Sequence, residues 1–245
     1  MPLSPDQFSS AVDHGVQMTQ GEPQLMESPG IALYCVDTLL QMRCVLARTS
    51  NIPEGAAIFA LVNHPTYLDG PQLVKAVRDF GSQLPIASMT WLENFVGVPG
   101  FFTRRVPNAL PVYRENADNG TDRQRSYYRK MYAQILSNDA LVKRGKDMNR
   151  RVVEYLTSHL NTQAMHLVLA ATPIEQTVRT RVNERALHIL NNTTVPVVPV
   201  SFHSFARAEK PLEKKSIFRR EVVRFHEPLT NRKTLYTDLQ GIDTR

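Results

Sequence analysis

His64 and Asp69, a histidine followed five positions later by an aspartate, are residues suited to acid–base catalysis. His64 comes directly after a short apolar run, and Asp69 comes just before a Gly-Pro pair. An imidazole that has a carboxylate on one nitrogen is held in one tautomer, so its other nitrogen can take a proton from an alcohol. A structural role is the alternative, in which Asp69 caps a helix and His64 is an ordinary turn residue.

The elements around this pair place it where a ligand is expected to bind. The apolar run 56–62 is bounded by turn residues and predicts a buried strand, and Gly70 and Pro71 open a helix that continues to about Phe80. In open α/β sheets, ligands bind outside the carboxyl ends of the strands. The turn between the strand and the helix is therefore a candidate site.

The rest of the chain predicts an α/β fold with a central, mostly parallel mixed sheet flanked by helices, and an N-terminal helical appendage. We expect residues 1–29 to form a loose leader and residues 30–245 to form a single domain. Further strands are predicted at 84–88, 109–113, 166–171, 195–202 and 221–225, and helices at 31–48, 121–136, 146–160 and 182–190.

Composition limits the class of protein. The chain has 245 residues, of which 42% are hydrophobic. Its net charge of +6 either favours phosphate-bearing partners or simply keeps the surface soluble.

The most apolar stretch, 31–47, is interrupted by Asp37 and Arg43 and predicts no spanning helix. It is either a core helix or a helix lying in a membrane interface. Cys35 and Cys44 lack metal-ligand spacing, so we expect reduced thiols and no metal.

The run 63–69, Asn-His-Pro-Thr-Tyr-Leu-Asp, resembles the NH-x4-D block of the glycerolipid acyltransferases, the glycerol-3-phosphate and 1-acylglycerol-3-phosphate acyltransferases and their relatives. Residues 108–114 resemble the family's second block, an apolar strand that ends in an acceptor-binding arginine, here Arg114. Residues 195–200 and 222–229 resemble its fourth block and terminal strand. The resemblance covers about residues 30 to 230.

The third block departs from the family pattern of Phe-Pro-Glu-Gly-Thr-Arg. Residues 172–179 retain Pro173, Glu175 and Arg179, but the glutamate and arginine are displaced and the glycine is absent. That glycine would allow close backbone approach to a ligand. Glu175 and Arg179 either bind the acceptor or form an ordinary ion pair on one helical turn.

The resemblance implies transfer of a fatty acyl chain from coenzyme A or acyl carrier protein to a hydroxyl of a glycerol-phosphate or lysophospholipid acceptor. It implies His64 as general base, Asp69 as its partner, and Asn63, Arg114, Pro173, Glu175 and Arg179 as substrate-binding residues. No metal or other cofactor is implied. A catalytically weak relative that binds lipid or acyl carrier is the alternative.

We expect peripheral association with an anionic membrane on its cytoplasmic face, and no nucleic-acid partner. Aromatic and basic residues between Trp91 and Arg105 predict either an interfacial patch or a buried cluster. The basic stretch 123–129, with Tyr127, Tyr128 and Tyr132, is more typical of a solvated helix whose tyrosine rings pack on the sheet than of a nucleic-acid surface.

Overall fold

The sheet contains eight strands within the part of the chain that the structure describes. This computed structural model describes residues 2–25, 44–62, 73–74, 76–78, 80–114, 122–170, 184–204, 207–211, 221–231 and 239. The strands are β1 (Cys44–Ala47), β2 (Ile58–Leu61), β3 (Ile86–Trp91), β4 (Ala109–Val112), β5 (His166–Ala170), β6 (Val197–Ser204), β7 (Arg207–Pro211) and β8 (Glu221–Phe225).

The strand order is β1-β8-β6-β2-β5-β3-β4, and β7 pairs with β6 outside this path. β2 is parallel to both of its neighbours, β5 and β6, and β3 is parallel to β5. β8 is antiparallel to β6, and β1 is parallel to β8. The sheet is therefore mixed and mostly parallel around β2, which confirms the predicted fold class.

Six α-helices and two 3₁₀ helices can be followed from end to end in the described residues. The α-helices are α1 (Pro5–Met18), α2 (Gly97–Thr103), α3 (Asp122–Met131), α4 (Ala133–Leu136), α5 (Asp139–Asn161) and α6 (Glu184–Asn191). The 3₁₀ helices are η1 (Thr49–Asn51) and η2 (Leu92–Phe95). Residues 73–74 and 76–78 are also helical, within the helix that the sequence predicts after Pro71.

Helix α1 shows that the prediction of a loose leader is wrong for residues 5–18. Ser4 Oγ accepts a hydrogen bond from Gln7 N at 3.2 Å, and Gln7 Oε1 accepts one from Ser4 N at 3.1 Å, which forms a capping box. Pro5 lies in the first turn, where a missing N–H costs nothing. Phe8 and Val12 are buried on one face, so packing and capping outweigh the polar composition.

Strand β1 corrects the end of the helix predicted at 31–48. Cys44 pairs with Glu221 and Ala47 with Arg224 in a parallel ladder. A short apolar run fits a buried helix and a buried strand equally well, and here long-range pairing with β8 decides the outcome. The remainder of that predicted helix lies outside the described residues.

Contacts divide the chain into two compact units, residues 1–22 with 89–155, and residues 23–88 with 156–245. In the second unit a buried apolar cluster covers the faces of β2, β6 and β8, with Phe59, Phe202 and Phe225 among its largest members. Phe59 and Phe225 meet edge to face at 6.0 Å between ring centroids. This core fixes β2 and its neighbours in place.

The first unit packs α1 against β4 and α5. Phe8 meets the Tyr113 ring edge to face at 5.4 Å. Gly15 is required at its position because a Cβ there would lie 2.5 Å from Pro111 Cγ and 2.7 Å from Met148 Sδ. These contacts tie the N-terminal helix to the residues that precede Arg114.

Candidate functional site

The carboxyl end of β2 is the place in the second unit where the fold favours a site. Leu61 pairs with Ala170 of β5 and with Val200 of β6, so the three parallel strands are in register where β2 ends. Val62 N then donates a hydrogen bond to Val200 O at 2.9 Å. The residues that lead into the first and third sequence blocks, Val62 and Ala170, therefore lie on neighbouring strands.

Six of the seven predicted site residues lie outside the described residues. They are Asn63, His64, Asp69, Pro173, Glu175 and Arg179. Their assignments stay predictions. The strands before them are those that the sequence predicts, since β2 and β5 fall within 56–62 and 166–171.

A serine between two histidines lies beside this edge of the sheet. Ser201 Oγ is 2.7 Å from His203 Nε2 and 2.7 Å from His226 Nε2. Ser201 and His203 are two residues apart on β6 and fully buried, while His226 follows β8 and is partly exposed. A hydroxyl has one proton, so when both rings are neutral it donates to one Nε2 and accepts from the other.

The environment of His226 favours a neutral ring. Burial, followed by the charges of Arg224, His203 and Arg48, lowers the pKa of His226 to about 4. At neutral pH the His226 ring is therefore uncharged where its Nε2 meets the Ser201 hydroxyl.

His166, at the start of β5, has a structural role. Its Nδ1 accepts a hydrogen bond from Ala57 N at 3.2 Å, so the ring proton is on Nε2, which lies 2.7 Å from Ser82 Oγ. Burial lowers the pKa of His166 to about 4, because a charged ring would lose its hydration. This histidine ties β5 to the segments before β2 and β3.

Arg114, the one predicted site residue that is described, lies in a polar and aromatic cluster of the first unit. Its guanidinium lies 4.0 Å above the centroid of the Trp91 ring, and its Nη2 is 3.5 Å from Glu93 Oε1. Glu93 Oε2 accepts a hydrogen bond from the Tyr132 hydroxyl at 2.7 Å, and the Tyr128 hydroxyl donates to the Arg114 carbonyl oxygen. These five residues are called the Arg114 cluster below.

The tyrosines of the Arg114 cluster are held as hydrogen-bond donors. Burial raises the pKa of Tyr132, and the charge of Glu93 raises it further. Burial likewise raises the pKa of Tyr128. Both rings are buried and stack on each other at 4.8 Å between centroids, while Tyr127, which the sequence predicts to pack on the sheet with them, is exposed. Glu93 is thereby oriented toward the arginine.

A buried asparagine of α5 fixes the backbone just before Arg114. Asn149 Oδ1 accepts a hydrogen bond from Tyr113 N at 2.8 Å, and Asn149 Nδ2 donates one to Tyr113 O at 2.8 Å. The side-chain amide thus pairs with the Tyr113 backbone as a neighbouring strand would. The direction in which the chain leaves β4 is set by this pair.

Several of these residues were missed by the sequence reasoning. Ser201 and His203 share one face of a strand by the two-residue period, but the fifth strand was predicted to end at 202. His226 directly follows the sixth strand. Glu93 and Asn149 carry no sequence signal, because their partners are distant in the chain.

The described residues contain no group of three or more His, Cys, Asp or Glu that is suited to hold a metal ion. None of the helices in the described ranges combines the length and hydrophobicity needed to cross a bilayer.

Comparison with known proteins gives a likeness of fold. A solved structure, the 1-acyl-sn-glycerophosphate (LPA) acyltransferase PlsC from Thermotoga maritima, is 15% identical, with a TM-score of 0.47, and the match covers 98% of this chain and 81% of that chain. No protein-family model and no curated relative matches the sequence.

Proposed function

We propose that the protein is an acyltransferase that moves a fatty acyl chain from an acyl thioester to a hydroxyl of a glycerol-phosphate or lysophospholipid acceptor. Coenzyme A or acyl carrier protein would carry the acyl chain. The proposal rests on the NH-x4-D block at 63–69, which resembles that of the glycerolipid acyltransferases.

The observation that supports it most is the position of the strand before this block. β2 is buried on both faces and lies between two parallel neighbours, and it ends at Leu61, two residues before Asn63. The carboxyl end of such a strand is where α/β sheets bind ligands. β5, the adjacent strand, leads into the third block in the same way.

In the proposed mechanism, His64 takes the proton of the acceptor hydroxyl as that oxygen attacks the thioester carbonyl. Asp69 holds the other ring nitrogen and stabilises the imidazolium. The carbon–sulfur bond then breaks and the thiolate leaves. Arg114, with Asn63, Pro173, Glu175 and Arg179, would bind the substrates and hold the hydroxyl beside His64, which lowers the entropic cost of the encounter.

The Arg114 cluster supports an anion-binding role for that arginine. Stacking on Trp91 and the contact with Glu93 fix the plane of the guanidinium, and the buried Arg114 Nε has no hydrogen-bond partner among the described residues. A planar, pre-oriented guanidinium loses little freedom when it binds the oxygens of a phosphate. The assignment to the acceptor comes from the order of the sequence blocks.

We also propose that the protein associates peripherally with the cytoplasmic face of a membrane. A lipid acceptor calls for a membrane surface, and the net charge of +6 favours an anionic one. High salt or carbonate should release the protein from membranes. Release by detergent alone would contradict peripheral attachment.

The second candidate is a catalytically weak relative that binds lipid or acyl carrier. It is favoured by the third block, where the family glycine is absent between Glu175 and Arg179. Thiol release from acyl-CoA distinguishes the two functions: an acyltransferase releases thiol faster when an acceptor is added, and a binding module does not.

The experiment that tests the proposed function is an acceptor screen with an acyl-CoA donor, read by mass spectrometry of the products. Glycerol-3-phosphate and lysophosphatidic acid should give acylated products, and matched acceptors without a phosphate should give less. A chain that acylates none of them with either acyl-CoA or acyl carrier protein as donor would contradict the proposal.

A further inference from the structure

Helix α2 of the first unit presents apolar side chains outward from a rigid base. Val98 is 76% exposed and Phe101 is 56% exposed, three positions apart on one face of the helix. Pro99 between them is also exposed. Large exposed apolar groups that share one face indicate an interaction surface more strongly than single scattered ones do.

The opposite side of α2 is fixed. A Cβ at Gly100 would lie 2.2 Å from the carbonyl oxygen of Phe95, so helix and 3₁₀ helix η2 are in close backbone contact there. Phe95 and Leu92 of η2 are fully buried. Because η2 is anchored in the core, α2 cannot turn its apolar face inward without losing this contact.

The guanidinium of Arg105 stacks on the exposed ring of Phe101. The Arg105 guanidinium lies 3.6 Å above the centroid of Phe101, and its Nη1 donates to the Phe101 carbonyl oxygen. Arg105 is itself exposed. An arginine stacked on an exposed ring keeps its charge at the level of the apolar group, which suits the boundary between lipid headgroups and acyl chains.

The local charge favours an anionic partner. From Asn94 to Arg114 the sequence has three arginines and no aspartate or glutamate. Arg104 is used internally, since its Nε donates to Phe95 O at 2.8 Å and its Nη2 to Ser10 Oγ at 3.1 Å. The aromatic and basic residues predicted from sequence therefore fall into two groups. Phe95 is buried and the partly exposed Arg104 bonds to η2 and α1, whereas Phe101 and Arg105 are exposed.

We infer that Val98, Pro99, Phe101 and Arg105 form the surface by which the protein docks on an anionic lipid bilayer. The apolar side chains of α2 enter the headgroup region, and Arg105 binds lipid phosphates. This inference rests on the proposed membrane association and is independent of the acyl-transfer chemistry. An acidic carrier protein is the alternative partner for this surface, and the vesicle experiment distinguishes it from a bilayer.

The test measures co-sedimentation with vesicles of phosphatidylcholine alone or mixed in equal parts with phosphatidylglycerol. Phe101→Ser should lower partitioning to the anionic vesicles by about tenfold, since the bilayer would remove the exposed part of the phenyl ring from water. Arg105→Glu should also lower it, with the largest effect at low salt. Tyr127→Ser is the matched control, because Tyr127 is 58% exposed on α3, and it should partition as the wild type does.

A fluorescence measurement reports insertion directly. Phe101→Trp should show a blue-shifted emission that brominated lipids quench, in addition to the signal of Trp91, the single tryptophan of the wild-type chain.

Equal loss of partitioning in Phe101→Ser and Tyr127→Ser, or no quenching of Phe101→Trp, would overturn the inference. Vesicle binding unaffected by Phe101→Ser, with loss of acyl-carrier binding instead, would assign α2 to a protein partner. No vesicle binding by the wild type would refute both this surface and membrane association, while acyl transfer to soluble acceptors would still be testable.

Discussion

Replacement of Asn149 by alanine tests how the chain before Arg114 is held. The side-chain amide makes two hydrogen bonds of 2.8 Å with the backbone of Tyr113, and Asn149 is only 3% exposed. Asn149→Ala removes both partners at a site that water does not reach. Each buried group that loses its hydrogen bond costs about 1–3 kcal/mol. The gain in helix propensity is about 0.6 kcal/mol, so we expect a net loss of roughly 2–5 kcal/mol in the free energy of unfolding.

The same helix offers a matched control in Asn161. Its side chain donates to Asn192 O at 3.0 Å and accepts from Thr194 N at 3.1 Å, but it is exposed. Water can replace both bonds, so Asn161→Ala should cost less than about 1 kcal/mol. Each variant removes a pair of hydrogen bonds to backbone groups, and the two pairs differ in burial.

Equilibrium urea unfolding, followed by circular dichroism, gives the free energy for both variants. Fluorescence of Trp91 gives a second reading from the unit that contains Asn149. If Asn149→Ala costs no more than Asn161→Ala, the amide does not hold the Tyr113 backbone as described. The orientation of Arg114 would then need another cause.

Three further predictions follow from individual groups. Arg114→Ala should raise the acceptor KM by about ten- to a hundredfold and leave the donor KM nearly unchanged, because a charge-assisted hydrogen bond contributes roughly 1.5–3 kcal/mol. His166 has a pKa of about 4 in the folded chain against 6.5 as its ordinary value, so the unfolded chain binds the proton first as pH falls. The free energy of unfolding should therefore be constant above about pH 6.5 and should decrease by about 3 kcal/mol as the pH falls from 6.5 to about 4. Gly100→Ala should destabilise the protein by about 1–3 kcal/mol or more, since its Cβ meets backbone at Phe95, whereas Gly21→Ala, with open space around it, should be neutral.

A different result would contradict each of these three predictions. An acceptor KM for Arg114→Ala equal to that of the exposed-site control Arg150→Ala would remove Arg114 from acceptor binding. In urea unfolding at a series of pH values, a His166→Gln variant with the wild-type acid dependence would show that His166 does not cause it. Equal stability of Gly100→Ala and Gly21→Ala would mean that α2 is not in close contact with η2.

Some strands are predicted closely from the sequence, because their apolar runs are short and bounded by turn residues, whereas β1 and β7 were not predicted as strands. The strand at 221–225 has the bounds of β8, and 166–171 differs from β5 by one residue. β1 was assigned to a helix, since nothing local in Cys44–Ala47 shows that its partner is β8, about 180 residues later. Tertiary pairing overrides local propensity at such a position.

The candidate site, too, can be predicted from the sequence only in part. The position of the first block after a buried strand follows from local pattern, and β2 confirms that strand. The interactions of Arg114 with Trp91 and Glu93, and of Ser201 with His203 and His226, join side chains across strands and helices. Local sequence gives the residue types in these clusters but not their distances.

The acyl-transfer rate of His64→Ala, measured after circular dichroism has verified the fold, decides whether His64 is the catalytic base. If His64 is the general base, turnover should fall by about a hundredfold or more. Asp69→Asn should do similar damage, and the double variant should be little worse than either single one, because the two residues act as a unit. A well-folded His64→Ala protein that transfers acyl groups at the wild-type rate would contradict the proposed mechanism.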